Sequence, residues 1–382
     1  MQHRLTLSDK HYYQKDNLVR KHSPDYNFVG DMATGTTYRW GRTIKEDSDA
    51  SPWPELADIS ISNKCSRGCD FCYRCSTSDG NLMNIEQYRR VLDQLTSHSW
   101  GPPFQVAIGG GEPTEHAQLT EILAETRKRG IIPNLTTNGE NISTRQLQAI
   151  KEFCGAIAVS VTKIEPQKIR PLLYKLTKAG VRTNLHFLLS KKSLPVAISI
   201  LNGDWDSVLQ SSNAVIFLTH KAMGRASPDN NLCFDEDTKL FLSLTDKPSS
   251  KLRFGFDACF VPLLLKYTKI DARFVDSCEC GFFSVYIDDK MNVKPCSFSE
   301  GNEFTFNLAD YDFSTIWQMK LESYREKMKN LCNETCPVRK TCRGGCLFHG
   351  YLNYVNSQNE PFSFERQSNG FFTKHLQELV SL

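Results

Sequence analysis

Three cysteines, Cys65, Cys69 and Cys72, stand at C-x3-C-x2-C in the run Cys65-Ser-Arg-Gly-Cys69-Asp-Phe-Cys72, and their spacing sets the first chemical expectation for this chain. Thiolates select soft metals and iron–sulfur clusters. Three of them are one too few for a closed tetrahedral site, whereas a cubane cluster on three thiolates leaves one iron open to a further ligand. A zinc knuckle is the structural alternative. It needs a fourth Cys or His at short range, and Cys75 lies three residues on.

A second element follows one β/α unit later. The strand read over 105–108 leads into Gly109-Gly110-Gly111-Glu112-Pro113, where a parallel strand delivers its C-terminal end. Three glycines let the backbone approach a ligand closely, and Glu112 offers a carboxylate to a ligand ammonium. A loop with no ligand explains such a turn when it stands alone.

The cysteine loop, with Phe71 before its last thiol, and the GGE element at Gly110, Gly111 and Glu112 together resemble the radical S-adenosylmethionine (SAM) superfamily. The resemblance implies a [4Fe-4S] cluster whose open iron takes the amino and carboxylate groups of SAM, with Glu112 at the amino group. Thr137-Asn138-Gly139 is similar to the family's T-N-G turn, and Ser160 matches a polar position at the end of the fourth strand. Asn184 on the fifth strand is grouped with Thr137 and Ser160 as cofactor-binding. Gly224-Arg225-Ala226 resembles a G-R-A/G turn beyond the adenine site. Tight turns account for these shorter matches equally well.

All but Cys154 and Cys233 of the 14 cysteines fall in two groups, 65–75 and 259–346. The second reads Cys278-x17-Cys296, then Cys332-x3-Cys336-x5-Cys342-x3-Cys346. It resembles the SPASM extension, which implies one or two auxiliary [4Fe-4S] clusters. By that resemblance Cys259, Cys278, Cys296 and Cys346 ligate the first, and Cys332, Cys336 and Cys342 the second. The chain departs from the pattern in three ways. Its C-x3-C replaces C-x2-C, Met291 stands where glycine is expected, and no cysteine follows Cys346. Cys280, His349, an acidic side chain or an exogenous ligand is left to complete the second set. Zinc on Cys332, Cys336, Cys342 and Cys346 is the alternative. Cys154 reads as a small buried hydrophobe; Cys233 is left open between that role, hydrogen-atom donation and cluster binding.

The elements that must position these groups follow from pattern. The chain has 382 residues, 40% of them hydrophobic, enough for a large core. Its net charge of +3 favours neither nucleic acid nor an acidic membrane surface. With no apolar signal segment at 1–20 and clustered cysteines, a soluble, cytoplasmic protein in a reducing compartment is expected. Strands are read near 57–63, 104–109, 131–136, 156–161, 181–189 and 214–219, alternating with helices at 84–97, 114–129 and 166–179. This rhythm predicts an α/β fold, a partial (β/α)6 TIM-like barrel, with a small cysteine-rich α+β C-terminal domain. The expected divisions are an N-terminal extension at 1–55, the barrel at 56–250 and the auxiliary domain at 251–382.

On the fourth strand Ile157, Val159 and Val161 oppose Ala158, Ser160 and Thr162; on the fifth Leu185, Phe187 and Leu189 oppose Asn184 and His186. The polar sets suit a ligand-lined lumen, or the ends of an open sheet. A hairpin is expected near 284–296, then a helix over 314–329 burying Ile316, Trp317, Met319 and Leu321. Residues 1–55 show too little strand pattern for a winged-helix leader-binding module.

The resemblance implies reductive cleavage of SAM to a 5′-deoxyadenosyl radical, with flavodoxin or ferredoxin as electron donor. The leading expectation is modification of a ribosomally made precursor peptide by a C–C or thioether crosslink or an oxidation, with leader binding left to another surface or to a separate leader-binding protein. A protein maturase of the anaerobic sulfatase-maturating type and a small-molecule dehydrogenase are alternatives. A non-enzymatic iron–sulfur carrier, which needs no GGE element, is the third.

Overall fold

The computed structural model describes residues 11–272, 275–331, 342–343 and 345–349. Its centre is a parallel run of seven strands, β5 (Leu56–Ser60), β6 (Gln105–Gly109), β7 (Ile132–Thr137), β8 (Ala156–Val161), β9 (Thr183–Leu189), β10 (Ala214–Thr219) and β11 (Phe254–Phe256), in sequential order. Six agree with the expected barrel strands to within three residues. The seventh, β11, is three residues long and was not expected from the sequence. Helices return between strands, as parallel pairing requires. The first, Ile85–Thr96, starts at a capping box in which Asn84 and Gln87 exchange side-chain and backbone bonds, worth about 1 kcal/mol.

Alternation behaves as a barrel demands. Ile157, Val159, Leu185, Phe187 and Leu189 are buried beneath the helices, while Ser160, Asn184 and His186 keep partial exposure on the other face. The sheet does not stop at the last barrel strand. Strand β12 (Ser284–Ile287) adds in parallel beside β5, and β13 (Asn292–Lys294) and β14 (Phe306–Asn307) continue it antiparallel. The expected hairpin is therefore β12–β13, and it extends the barrel sheet. Met291, in its turn, has φ 62, the left-handed region that favours glycine.

Two expectations need correction. Residues 12–40, read as lacking strand pattern, form an antiparallel meander of β1 (Tyr12–Lys15), β2 (Leu18–Ser23), β3 (Tyr26–Asp31) and β4 (Thr37–Trp40). The pattern was hidden because an inward position of β2 carries Lys21, fully buried, whose ammonium donates to the Pro102 carbonyl at 2.7 Å. The helix expected over 314–329 is broken into a turn at Phe313–Thr315, a π segment at Ile316–Lys320 and a helix at Glu322–Lys329. Ile316, Trp317 and Leu321 are buried, but Met319 is 71% exposed because the wider π turn rotates it outward.

Candidate cluster and cofactor site

The chain leaves β5 into the loop that carries Cys65, Cys69 and Cys72, all partly buried. Backbone bonds shape the loop: Cys65 N–H donates to Thr77 O at 2.8 Å, Cys72 N–H to Cys69 O at 3.3 Å, and the Ser66 N–H and hydroxyl to Glu115. Burial pushes the Cys65 and Cys69 thiols up, opposed at Cys65 by the Arg67 N–H and at Cys69 by the Arg67 and Arg225 charges. Cys75 is exposed, at φ 52. Among the described residues no three His, Cys, Asp or Glu side chains converge as around a single metal ion. A cubane asks for a different arrangement, since each thiolate takes its own iron.

The glycine run does something other than cradle a ligand. A Cβ on Gly110 would meet Ser62 O at 2.2 Å, and one on Gly111 would meet Lys64 O at 2.0 Å. Gly111 N–H donates to Ser62 O and Glu112 N–H to Lys64 O, at 2.7 and 2.8 Å. These residues hold the segment entering the cysteine loop. Gly109 has nothing within 4 Å of its would-be Cβ and faces open space. Glu112 is 3% exposed and already bonded: Oε1 accepts from the Thr114 N–H and hydroxyl and from the Thr137 hydroxyl, and Oε2 accepts from Asn138 N–H at 2.7 Å. Only Oε2 retains capacity for a ligand donor.

Thr137 is therefore buried as a support for Glu112, while Ser160 is partly exposed at the end of β8. A cavity of about 550 Å³ lies here, walled by Arg67 of the cysteine loop, Asn138 and Gly139 after β7, Ser160 at the end of β8 and Thr162 just after it. Arg67 is its one lining residue from the cysteine loop, and Glu165, Ile169, Leu172 and Lys175 at the helix Pro166–Lys178 close its other side. A wider depression of about 820 Å³ between the outer helices Leu119–Lys128 and Thr144–Phe153 includes none of these groups.

Asn184 is not brought to the cavity. It is the second residue of β9, at the opposite end of the strand, and its Oδ1 accepts from Asn213 at 2.8 Å. His186 is the β9 residue level with Ser160. Burial pulls His186 down to about 4, against the attraction of Asp257, so it is neutral. Across the sheet, Asp58 on β5 faces the same interior, pushed up to about 7 by burial against the pull of Arg74. The one acidic residue in Leu56-Ala57-Asp58-Ile59-Ser60, alternating with buried Ala57 and Ile59, was the sequence signal for it.

The C-terminal cysteines gather near the same end. The Cys280 thiol is hydrogen-bonded to both Cys278 and Cys296. Its bond draws the Cys278 thiol down. Cys259 and Cys346 lie within electrostatic reach of Cys278 and Cys296. Five thiols therefore form one neighbourhood, including Cys280, which the SPASM pattern leaves out. Cys342 instead packs with Val261 and Leu265. Cys332 and Cys336 lie outside the described residues. His349 Nε2 is 3.3 Å from Phe298 O. Cys154 is pushed up to about 12 by burial, whereas Cys233 is exposed.

Two contacts join the cysteine groups. Tyr73, next to Cys72, packs on Phe298, two residues beyond Cys296, at 4.3 Å between ring centroids. Lys221 lies 4.5 Å over the other end of this contact, the Phe298 ring, and is ion-paired to Asp257 at 2.9 Å. Burial opposes its charge, but the ion pair with Asp257, with the Cys259 and Cys296 sulfurs nearby, keeps it protonated.

Residues 59–190 match the profile of the radical SAM superfamily. An Fe-coproporphyrin III synthase from Methanosarcina barkeri is 25% identical over 190 residues, 44% of this chain and 46% of that protein. A 7,8-dihydro-6-hydroxymethylpterin dimethyltransferase from Methanocaldococcus jannaschii is 25% identical over 154 residues, 37% of this chain and 29% of that protein. The chain thus spans less than half the length of either relative. In fold it is similar to Streptococcus suis SuiB bound to precursor peptide SuiA, with a TM-score of 0.68 at 14% identity over 91% of this chain and 97% of that one. It is also similar to native anSMEcpe with bound AdoMet and Cp18Cys peptide, with a TM-score of 0.57 at 16% identity over 77% and 89%.

Proposed function

Because this chain carries a radical SAM domain at residues 59–190, we propose that it modifies a peptide, installing a C–C or thioether crosslink or an oxidation on a ribosomally made precursor. The family uses SAM and a [4Fe-4S] cluster, which when bound supply a 5′-deoxyadenosyl radical able to abstract a substrate hydrogen atom. In this reading Cys65, Cys69 and Cys72 hold the cluster. Arg67, Asn138 and Ser160 border the SAM cavity, Gly109 presents an open face at the end of β6, and Oε2 of Glu112 remains available to an ammonium. The enclosing strand ends orient the cofactor and keep water from the reacting centre.

The carrying observation is that the two cysteine groups are neighbours, linked through Tyr73 and Phe298. A crosslink or oxidation removes two electrons from the substrate: one leaves with the abstracted hydrogen atom, and the second needs an acceptor. The five-thiol neighbourhood of Cys259, Cys278, Cys280, Cys296 and Cys346 is suited to hold an auxiliary cluster for that electron. The similarity in fold to a protein described with its precursor peptide supports a peptide as the substrate. Residues 1–55, 56–250 and 251–382 are the proposed divisions.

The test is co-expression with a small peptide encoded beside this gene, followed by mass spectrometry. A loss of two hydrogens from the peptide, absent in the Cys65→Ala variant, is expected. An unmodified peptide alongside an altered metabolite would overturn the peptide reading in favour of a small-molecule substrate.

A further inference from the structure

The residue that does most to shape the three-thiol loop comes from about 150 positions away. Arg225 follows β10, and its Nε donates to Cys69 O at 2.8 Å, its Nη1 to Ser76 O at 2.9 Å and its backbone N–H to Cys72 O at 3.0 Å. One residue thus satisfies three carbonyls of the loop, two of them on cysteines. Gly224 makes the approach possible: it sits at φ 65, and a Cβ there would lie 2.6 Å from Cys72 O and 2.5 Å from Tyr73 O. No other residue type fits that gap without displacing the loop.

The chemistry of arginine matters here. Its planar fork fixes the spacing between two acceptors, which a lysine ammonium cannot do, and it stays charged under all ordinary conditions. The guanidinium is within electrostatic reach of the Cys69 sulfur. A permanent cation behind thiolates stabilises whatever extra negative charge gathers on the group they bind. The Gly224-Arg225-Ala226 turn, matched in sequence to a position beyond the adenine, is here a clamp on the cysteine loop.

We propose that Arg225 is a positioning residue for SAM cleavage: it sets where Cys69 and Cys72 present their sulfurs and lends a fixed positive charge to the reduced cluster. This rests on the cluster reading given above. Removing the fork frees the loop, and removing the charge makes the cluster harder to reduce.

The experiment compares wild type, Arg225→Gln and Arg225→Lys after anaerobic reconstitution, each given dithionite and SAM with no peptide. Iron and sulfide content, cluster midpoint potential, amide exchange over residues 65–77 and 5′-deoxyadenosine formation are measured. Arg225→Gln is expected to exchange those amides at least tenfold faster, to show a lower potential and to form 5′-deoxyadenosine at least tenfold more slowly. Arg225→Lys is expected to recover the potential while the loop still exchanges fast. Wild-type exchange, potential and rate in Arg225→Gln would overturn the proposal. If the glutamine variant does not fold, wild-type exchange in Arg225→Lys would overturn it alone. A wild type that forms no 5′-deoxyadenosine defeats the underlying cluster reading instead, so the two failures are distinguishable.

Discussion

Asp58 and His186 face one interior with their titrations displaced in opposite directions. Asp58 is pushed up from 3.8 to about 7, so the folded state binds the extra proton between those values. Its contribution to stability is complete below pH 3.8 and is lost as pH rises through about 7. His186 is pulled down from 6.5 to about 4, so the unfolded state binds the extra proton and stability falls as pH drops through that window. The effect is at most about 4 kcal/mol for Asp58 and about 3 kcal/mol for His186. Urea midpoints are expected to show Asp58→Asn gaining on wild type at about pH 8 relative to about pH 4. His186→Gln should gain in the reverse sense, and parallel shifts at every pH would contradict both. Cys280 carries a second prediction at this scale. Because its thiol bonds to Cys278 and Cys296, Cys280→Ala should lower iron and sulfide per chain as much as Cys296→Ala does, and an unchanged count would exclude it from the auxiliary site.

At the level of elements, the loop and glycine turn are a braced pair. Gly111→Ala forces a Cβ to 2.0 Å from Lys64 O, against backbone that cannot swing aside. A loss of about 3 kcal/mol is expected, together with reduced cluster incorporation. Gly109→Ala enters open space and should leave the denaturation midpoint unchanged while weakening SAM binding, as read by calorimetry. Most of these elements were legible in the sequence. The barrel strands carry β-branched runs bounded by capped helices, so Ala156–Val161 and Ala214–Thr219 stand where the pattern puts them. The strands β1 to β4 were not legible, because polar and charged residues break up their apolar alternation and one inward position holds Lys21. Glycine-rich motifs say that backbone comes close to something. They do not say whether that something is a ligand or, as at Gly110, Gly111 and Gly224, the neighbouring loop.

Across the whole molecule, one cation ties the N-terminal sheet to the segment that leads into β12. Arg39 on β4 donates to Glu55, just before β5, at 2.9 Å and to Glu279, just before β12, at 2.8 Å, and lies 3.6 Å over the Phe283 ring. Tyr26 adds a bond to Glu55 at 2.8 Å. Arg39→Ala leaves Glu55 buried without its main counter-charge, and a loss of about 3 kcal/mol is expected from chemical denaturation. A loss below about 1 kcal/mol would mean that the N-terminal sheet is held by its apolar contacts alone. Such long-range joints, like the parallel pairing of β12 with β5, leave no local mark in sequence, which is why the barrel was foreseeable and its continuation was not. Among the described residues no helix is long and apolar enough to cross a membrane. The claim on which the rest stands is that Cys65, Cys69 and Cys72 hold a cluster that cleaves SAM. Anaerobically reconstituted protein given dithionite and SAM is predicted to release 5′-deoxyadenosine, and the triple alanine variant at those positions to release none. Wild-type protein that binds only zinc, or that holds iron and sulfide yet releases no 5′-deoxyadenosine, would contradict it.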